Sequence, residues 1–126
     1  MITSPTILIV DDNQTNQLLA SAALQARGYR VHCASGGAEL DAFMREERPS
    51  LILMDIQMPG EDGLAITRRL KTDPASSHIP IIALTAHAMP GNEDAARAAG
   101  CDGFITKPFS PQLLAETVSA MLGGTP

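Results

Sequence analysis

Short apolar runs alternate with amphipathic stretches five times along the chain, with no long linker, repeat or low-complexity segment between them. The runs at 6–10, 30–34, 51–54, 80–84 and 103–106 have the length and composition of strands. The first, third and fourth are apolar throughout, which calls for burial on both faces, as in the central strands of a parallel sheet. Arg30-Val31-His32-Cys33 alternates instead and predicts an edge strand. After the first strand, Leu18, Leu19, Ala22, Ala23 and Ala26 are expected on one helical face, with Gly28 as the stop just beyond. Near the end of the chain Leu113, Leu114, Val118, Met121 and Leu122 recur at helical spacing, after Ser110-Pro111 as N-cap and first-turn proline. Weaker patterns place helices near 37–47, 64–71 and 90–99.

Right-handed crossovers with helices on both faces make this an α/β protein with a doubly wound, five-stranded parallel sheet. An edge position for the second strand fits the flavodoxin-like order 2-1-3-4-5. Such sheets bind ligands at the carboxyl ends of their strands. A length of 126 residues suits one domain with one core. No run reaches the roughly 20 apolar residues that spanning a bilayer requires, so no membrane role is expected. The N-terminal residues lack a basic segment followed by a long apolar one, so no secretory signal is read and a cytoplasmic location is expected. Cys33 and Cys101 then stay reduced, and both are read as buried small hydrophobes. A net charge of -5 disfavours a nucleic-acid partner, and the one basic cluster, Arg68, Arg69 and Lys71, suits a solvated helix face.

The candidate chemistry stands where the topology directs it. The first strand runs out into Asp11-Asp12, the third into Asp55, the fourth into Thr85 and the fifth into Lys107-Pro108. Each alone has an ordinary explanation, since an Asp after a strand often caps the next helix and a Thr or Lys at a strand end is often solvated. Together they bring three carboxylates, a hydroxyl and an ammonium to one edge. Close carboxylates repel unless a cation neutralises them, and Mg²⁺ prefers oxygen ligands, often one or two carboxylates plus a phosphate. His32, His78 and His87 form no spaced ligand set with the cysteines, which leaves zinc and iron unsupported. An acidic site beside a lysine suits phosphoryl transfer to a carboxylate nucleophile. A cis bond at Lys107-Pro108 is a hypothesis that would aim the ammonium back over the strand ends.

The segments Ile7-Leu8-Ile9-Val10-Asp11-Asp12-Asn13, Leu51-Ile52-Leu53-Met54-Asp55-Ile56-Gln57-Met58-Pro59 with Gly63, Ile81-Ile82-Ala83-Leu84-Thr85-Ala86 and Phe104-Ile105-Thr106-Lys107-Pro108-Phe109 carry a resemblance. With them the chain closely resembles the receiver domain of two-component response regulators over essentially its full length. The resemblance implies one receiver domain over 1–126 with a flexible tail at 123–126. It implies that Asp55 accepts a phosphoryl group from a phosphohistidine on a histidine kinase or a histidine phosphotransfer protein. Asp12 and Asp55 would hold Mg²⁺ directly, with the backbone carbonyl of Gln57, and Asp11 mainly through water. Lys107 would pair with the phosphoryl group, Thr85 would move in to bond it, and Phe104 would turn inward behind it. A plain core role for Phe104 stays open. Gln57 and His87 would flank the phosphoryl group and tune its hydrolysis.

The output would be a contact with a downstream protein through the fourth helix, fifth strand and fifth helix. The chain would be no enzyme beyond its own phosphorylation and dephosphorylation. Whether it stands alone or is the receiver of a hybrid kinase stays open, with Met1 favouring a complete gene product. An aspartyl-phosphate hydrolase of the haloacid dehalogenase kind would need a second Asp where Gln57 stands. A flavin or nucleotide binder would need a glycine-rich loop where Asp11 and Asp12 stand.

Overall fold

The computed structural model describes residues 4–86 and 91–123. In chain order these form β1 (Thr6–Val10), α1 (Gln14–Gln25), β2 (Arg30–Ala34), α2 (Gly37–Glu46), β3 (Leu51–Asp55), β4 (Gln57–Met58) and β5 (Glu61–Asp62). α3 (Gly63–Thr72), β6 (Ile81–Thr85), α4 (Asn92–Ala99), β7 (Gly103–Thr106) and α5 (Pro111–Met121) follow. Five strands pair in the order β2-β1-β3-β6-β7, all parallel, which is the order 2-1-3-4-5 once the short β4–β5 hairpin is set aside. Ile7 stands level with Leu51, Ile52 with Ile81 and Ile82 with Gly103. β2 pairs with β1 alone and is the edge that its alternation predicts.

Alternate side chains of the three central strands feed two cores, because successive strand residues point to opposite faces. Leu8, Val10, Ile52, Met54, Ile81 and Ala83 meet Leu40 of α2, Ile66 and Leu70 of α3 and Ala96 of α4. On the other face Ile7, Ile9, Leu53 and Leu84 meet Ala20 and Leu24 of α1 and Leu114 and Val118 of α5. The wrapping is therefore doubly wound. Local chemistry sets the helix starts. The side chains of Asn13, Asp62 and Ser110 accept hydrogen bonds from the amides of Asn16, Leu64 and Leu113, and Pro111 follows Ser110 in the first turn.

Three expectations need correction. The face of α1 that packs is Ala20 and Leu24, with Ala23 partly buried, whereas Leu18 is 71% and Leu19 54% exposed. Ala22 and Ala26 are exposed as well. The small Ala20 lets the helix lie close to the sheet, and the bulkier leucines turn to solvent. Leu113 is likewise half exposed at the start of α5, while Leu114, four residues before Val118, takes the buried position. Cys101 is buried as expected, but Cys33 is exposed, because the edge strand β2 is only partly covered. α4 begins at Asn92, and Pro90 of the expected 90–99 helix lies outside the described residues. Of the expected 123–126 tail, only Gly123 is described.

Candidate functional site

The carboxyl ends of β1, β3, β6 and β7 meet at one edge, and they bring together most of the side chains singled out in the sequence. β1 ends one residue before Asp11, whose amide continues the ladder to the carbonyl of Ala34 at 3.0 Å. β3 and β6 carry Asp55 and Thr85 as their last residues, and Lys107 follows β7 with its amide 2.6 Å from the carbonyl of Thr85. Asp11 and Thr85 are fully buried, Asp55 is 4% exposed, and Asp12 is exposed. One oxygen from each of Asp11, Asp12 and Asp55 lies within 4.8 Å of the others.

Lys107 ties the acids together. Its Nζ stands 3.0 Å from Asp11 Oδ2 and 3.1 Å from Asp55 Oδ2. The Lys107–Pro108 peptide bond is cis, the isomer hypothesised for it above. The other oxygens of the two acids are also bonded: Asn13 N–H donates to Asp11 Oδ1 and Gln57 N–H to Asp55 Oδ1, both at 2.9 Å. Burial pushes the Asp55 carboxyl above the ordinary carboxylate value, against the opposing pull of the Gln57 amide and the Lys107 charge, and the nearby Asp11 adds to the rise. Burial alone would lower the Lys107 ammonium, but Asp11 and Asp55 outweigh it and hold the group above the ordinary lysine value.

The donor set is all oxygen, and it suits a hard divalent cation of the Mg²⁺ kind better than zinc or iron. A single ammonium cannot balance three acids, so the cluster keeps an excess of negative charge that such a cation would neutralise. The residues present therefore fit the metal that the sequence suggested.

Three side chains at this edge have roles that sequence reading did not resolve. The Gln57 side chain turns toward β6, where its Oε1 accepts from the Thr85 hydroxyl at 2.9 Å and from the Ala86 amide at 3.0 Å. Glu61, on the other arm of the β4–β5 hairpin, accepts from the Gly37 amide at 2.8 Å and so caps the first turn of α2. The Pro59-Gly60 dipeptide was the available signal for this hairpin, and Gly60 supplies the positive φ of 75° that the turn needs. Gly63 allows a close approach: a Cβ there would fall 2.4 Å from the Asp55 carbonyl oxygen and 2.6 Å from Ile56 Cα. Gln17 donates from Nε2 to the Asp11 carbonyl, a contact with no signature in the sequence. Phe104 is half-buried against the core that faces α2, α3 and α4. His87 lies outside the described residues.

Fold and site together define a doubly wound α/β protein with an acidic, oxygen-lined cluster at the switch point of its sheet. The family model of the response regulator receiver domain matches residues 7–119, and the chain belongs to that family. It is thereby a module of two-component signalling, a class of switches rather than metabolic enzymes. The polar-differentiation response regulator DivK of Brucella anthropi is 44% identical over 117 residues, covering 93% of this chain and 95% of that protein. The chemotaxis response regulator CheY4 of Vibrio cholerae superposes with a TM-score of 0.87 at 30% identity, covering 94% of this chain and 98% of its own. The receiver domain of sensor histidine kinase PA1611 from Pseudomonas aeruginosa, described with a magnesium ion coordinated in its active site cleft, superposes with a TM-score of 0.86. It is 33% identical and covers 97% of this chain and all of its own, 100%. Among the described residues no helix is long and apolar enough to cross a membrane.

Proposed function

We propose that the chain is a phosphoacceptor switch in which Asp55 takes a phosphoryl group from a phosphohistidine of a histidine kinase or histidine phosphotransfer protein. The observation that carries this reading is the placement of Asp55 within the acidic triad with its Oδ2 3.1 Å from the Lys107 ammonium. A carboxylate oxygen of Asp55 forms the new bond to phosphorus as the P–N bond breaks. The departing imidazole nitrogen keeps the electron pair and takes up a proton. Lys107, charged across the working pH range, offsets charge on the phosphoryl oxygens and orients Asp55. Asp12 and Asp55 would hold Mg²⁺ with the Gln57 carbonyl, and Asp11 through water; when bound, the ion would screen the charge of the incoming phosphoryl group. The magnesium of the related PA1611 receiver domain supports this assignment.

Activation is a population shift: the phosphoryl group favours the state in which Thr85 bonds it. Phe104 would then pack inward, and because phenylalanine has no hydroxyl that state rests on packing alone. Gln57 and His87 would tune the hydrolysis of the phosphoryl group. The chain acts as one receiver domain in the cytoplasm, and its output is a protein contact on the face of α4, β7 and α5 rather than binding to nucleic acid. The only turnover in this reading is its own phosphorylation and dephosphorylation.

The test is transfer from acetyl phosphate in the presence of Mg²⁺, read by intact mass. The expected result is one phosphoryl adduct on the wild type, lost on chelation and absent from Asp55→Asn. An adduct that persists in Asp55→Asn would put the acceptor elsewhere.

A further inference from the structure

The Gln57 amide engages the switch threonine before any phosphoryl group arrives. Its Oε1 is the acceptor for two donors at once, the Thr85 hydroxyl and the Ala86 amide. The backbone N–H of the same residue donates to Asp55 Oδ1. One residue thus touches both the acceptor carboxylate and the threonine that would respond to it. The support beneath it is fixed at its far end, where Glu61 accepts from the first turn of α2.

We infer that the Gln57 side chain is a latch that holds Thr85 and Ala86 in the resting state and competes with a phosphoryl group on Asp55 for the same two hydrogens. The inference rests on the phosphoacceptor reading above. A hydroxyl has one proton and a backbone amide has one, so each can be donated fully to only one acceptor. Any approach of Thr85 to a phosphoryl oxygen must first release Gln57 Oε1. The phosphoryl oxygen carries charge and is the stronger acceptor, so the exchange is favourable, but only by the difference between the two bonds. Gln57 therefore sets a threshold. It lowers the population of the active state in the absence of phosphorylation and weakens the binding of a phosphoryl group in its presence.

Gln57→Met isolates this effect. Methionine has similar length and an unbranched stem, offers no comparable acceptor, and leaves the backbone carbonyl and amide of position 57 in place. The position is exposed, so the fold should tolerate it. The probe is beryllium trifluoride with Mg²⁺, an anion whose beryllium becomes tetrahedral on taking a carboxylate oxygen as its fourth ligand and so stands in for a phosphoryl group. Release of a hydrogen bond of ordinary net strength should tighten its binding on the order of threefold to tenfold. Gln57→Ala should tighten it in the same direction. The gain should shrink in a Thr85→Ala background, where only the Ala86 amide is left to release, a dependence that loss of general packing would not produce. In the free protein, the Ala86 amide proton resonance should move upfield in Gln57→Met.

Equal or weaker binding of the anion by Gln57→Met, beside normal binding by the wild type, overturns the latch and leaves the phosphoacceptor reading standing. An unmoved Ala86 resonance also overturns it. Failure of the wild type itself to bind the anion would remove both.

Discussion

Asp55 combines 4% exposure with a neighbouring buried acid, and its raised proton affinity follows from that environment. The fold thereby holds the Asp55 carboxylate at some expense to its own stability. Asn at this position keeps the shape and can still accept from the Gln57 amide, while removing one of the clustered charges. Asp55→Asn should therefore stabilise the metal-free protein at neutral pH by about 1 kcal/mol, or roughly 3 to 6 °C in Tm. Because the folded-state pKa lies above the ordinary 3.8, the folded protein holds this proton more tightly than the unfolded chain does. The penalty is complete above the raised pKa and fades as the pH falls toward 3.8. The difference between variant and wild type should then be widest near neutral pH and narrow as the pH falls toward 3.8, in denaturation curves recorded with chelator. Lys107 stays charged throughout this window, because its raised pKa places its own transition above 10.5. A variant less stable than the wild type at neutral pH would show that the Lys107 ion pair outweighs burial. At this scale Asp11, Asp12, Asp55, Thr85 and Lys107 were legible because each stands at a strand end, where chain order alone dictates position. The reach of Gln57 to Thr85 spans 28 residues of sequence, and no local pattern encodes it.

At the scale of elements, continuous apolar runs announced β1, β3 and β6, and the alternation of β2 announced an edge, because burial on two faces or one leaves a direct imprint on composition. Two-residue strands leave no such imprint, so the β4–β5 hairpin could be found only through its Pro59-Gly60 turn. The packed face of α1 was misread for a different reason. Alanine suits either side of a helix, so the bulky Leu18 and Leu19 drew the assignment, whereas close packing on the sheet selected Ala20 with Leu24. The correction is open to test. Leu24→Ala should cost about 2 to 5 kcal/mol, as expected for a fully buried leucine. Leu19→Ala should stay within about 0.5 kcal/mol. Urea midpoints of the two variants measured side by side would reverse in order if the leucine face were the buried one.

For the whole molecule, the sheet is the device that gathers charge. Asp11 and Asp12 come from the end of β1 and Asp55 from the end of β3, so the unfolded chain holds Asp55 far from the adjacent pair and only the folded sheet brings all three within 4.8 Å. A cation that binds this cluster therefore binds the folded state almost exclusively, and by linkage it must stabilise that state. With a net charge of -5 the protein also gains from any salt through screening, so the specific effect has to be separated from the general one. Melting with Mg²⁺ should be compared with KCl at the same ionic strength. Saturation at about a hundred times Kd adds on the order of 2.7 kcal/mol for a single site, an upward Tm shift of several degrees beyond the KCl control. Asp55→Asn should begin from a higher metal-free Tm and respond less to Mg²⁺, because it has lost one of the three clustered carboxylates. The two curves should then converge as Mg²⁺ rises, since the ion supplies to the wild type the relief that the substitution supplies to the variant. Equal responses to Mg²⁺ and KCl would mean that the acidic edge acts only as diffuse surface charge, and parallel responses of the two proteins would take Asp55 out of the ligand set.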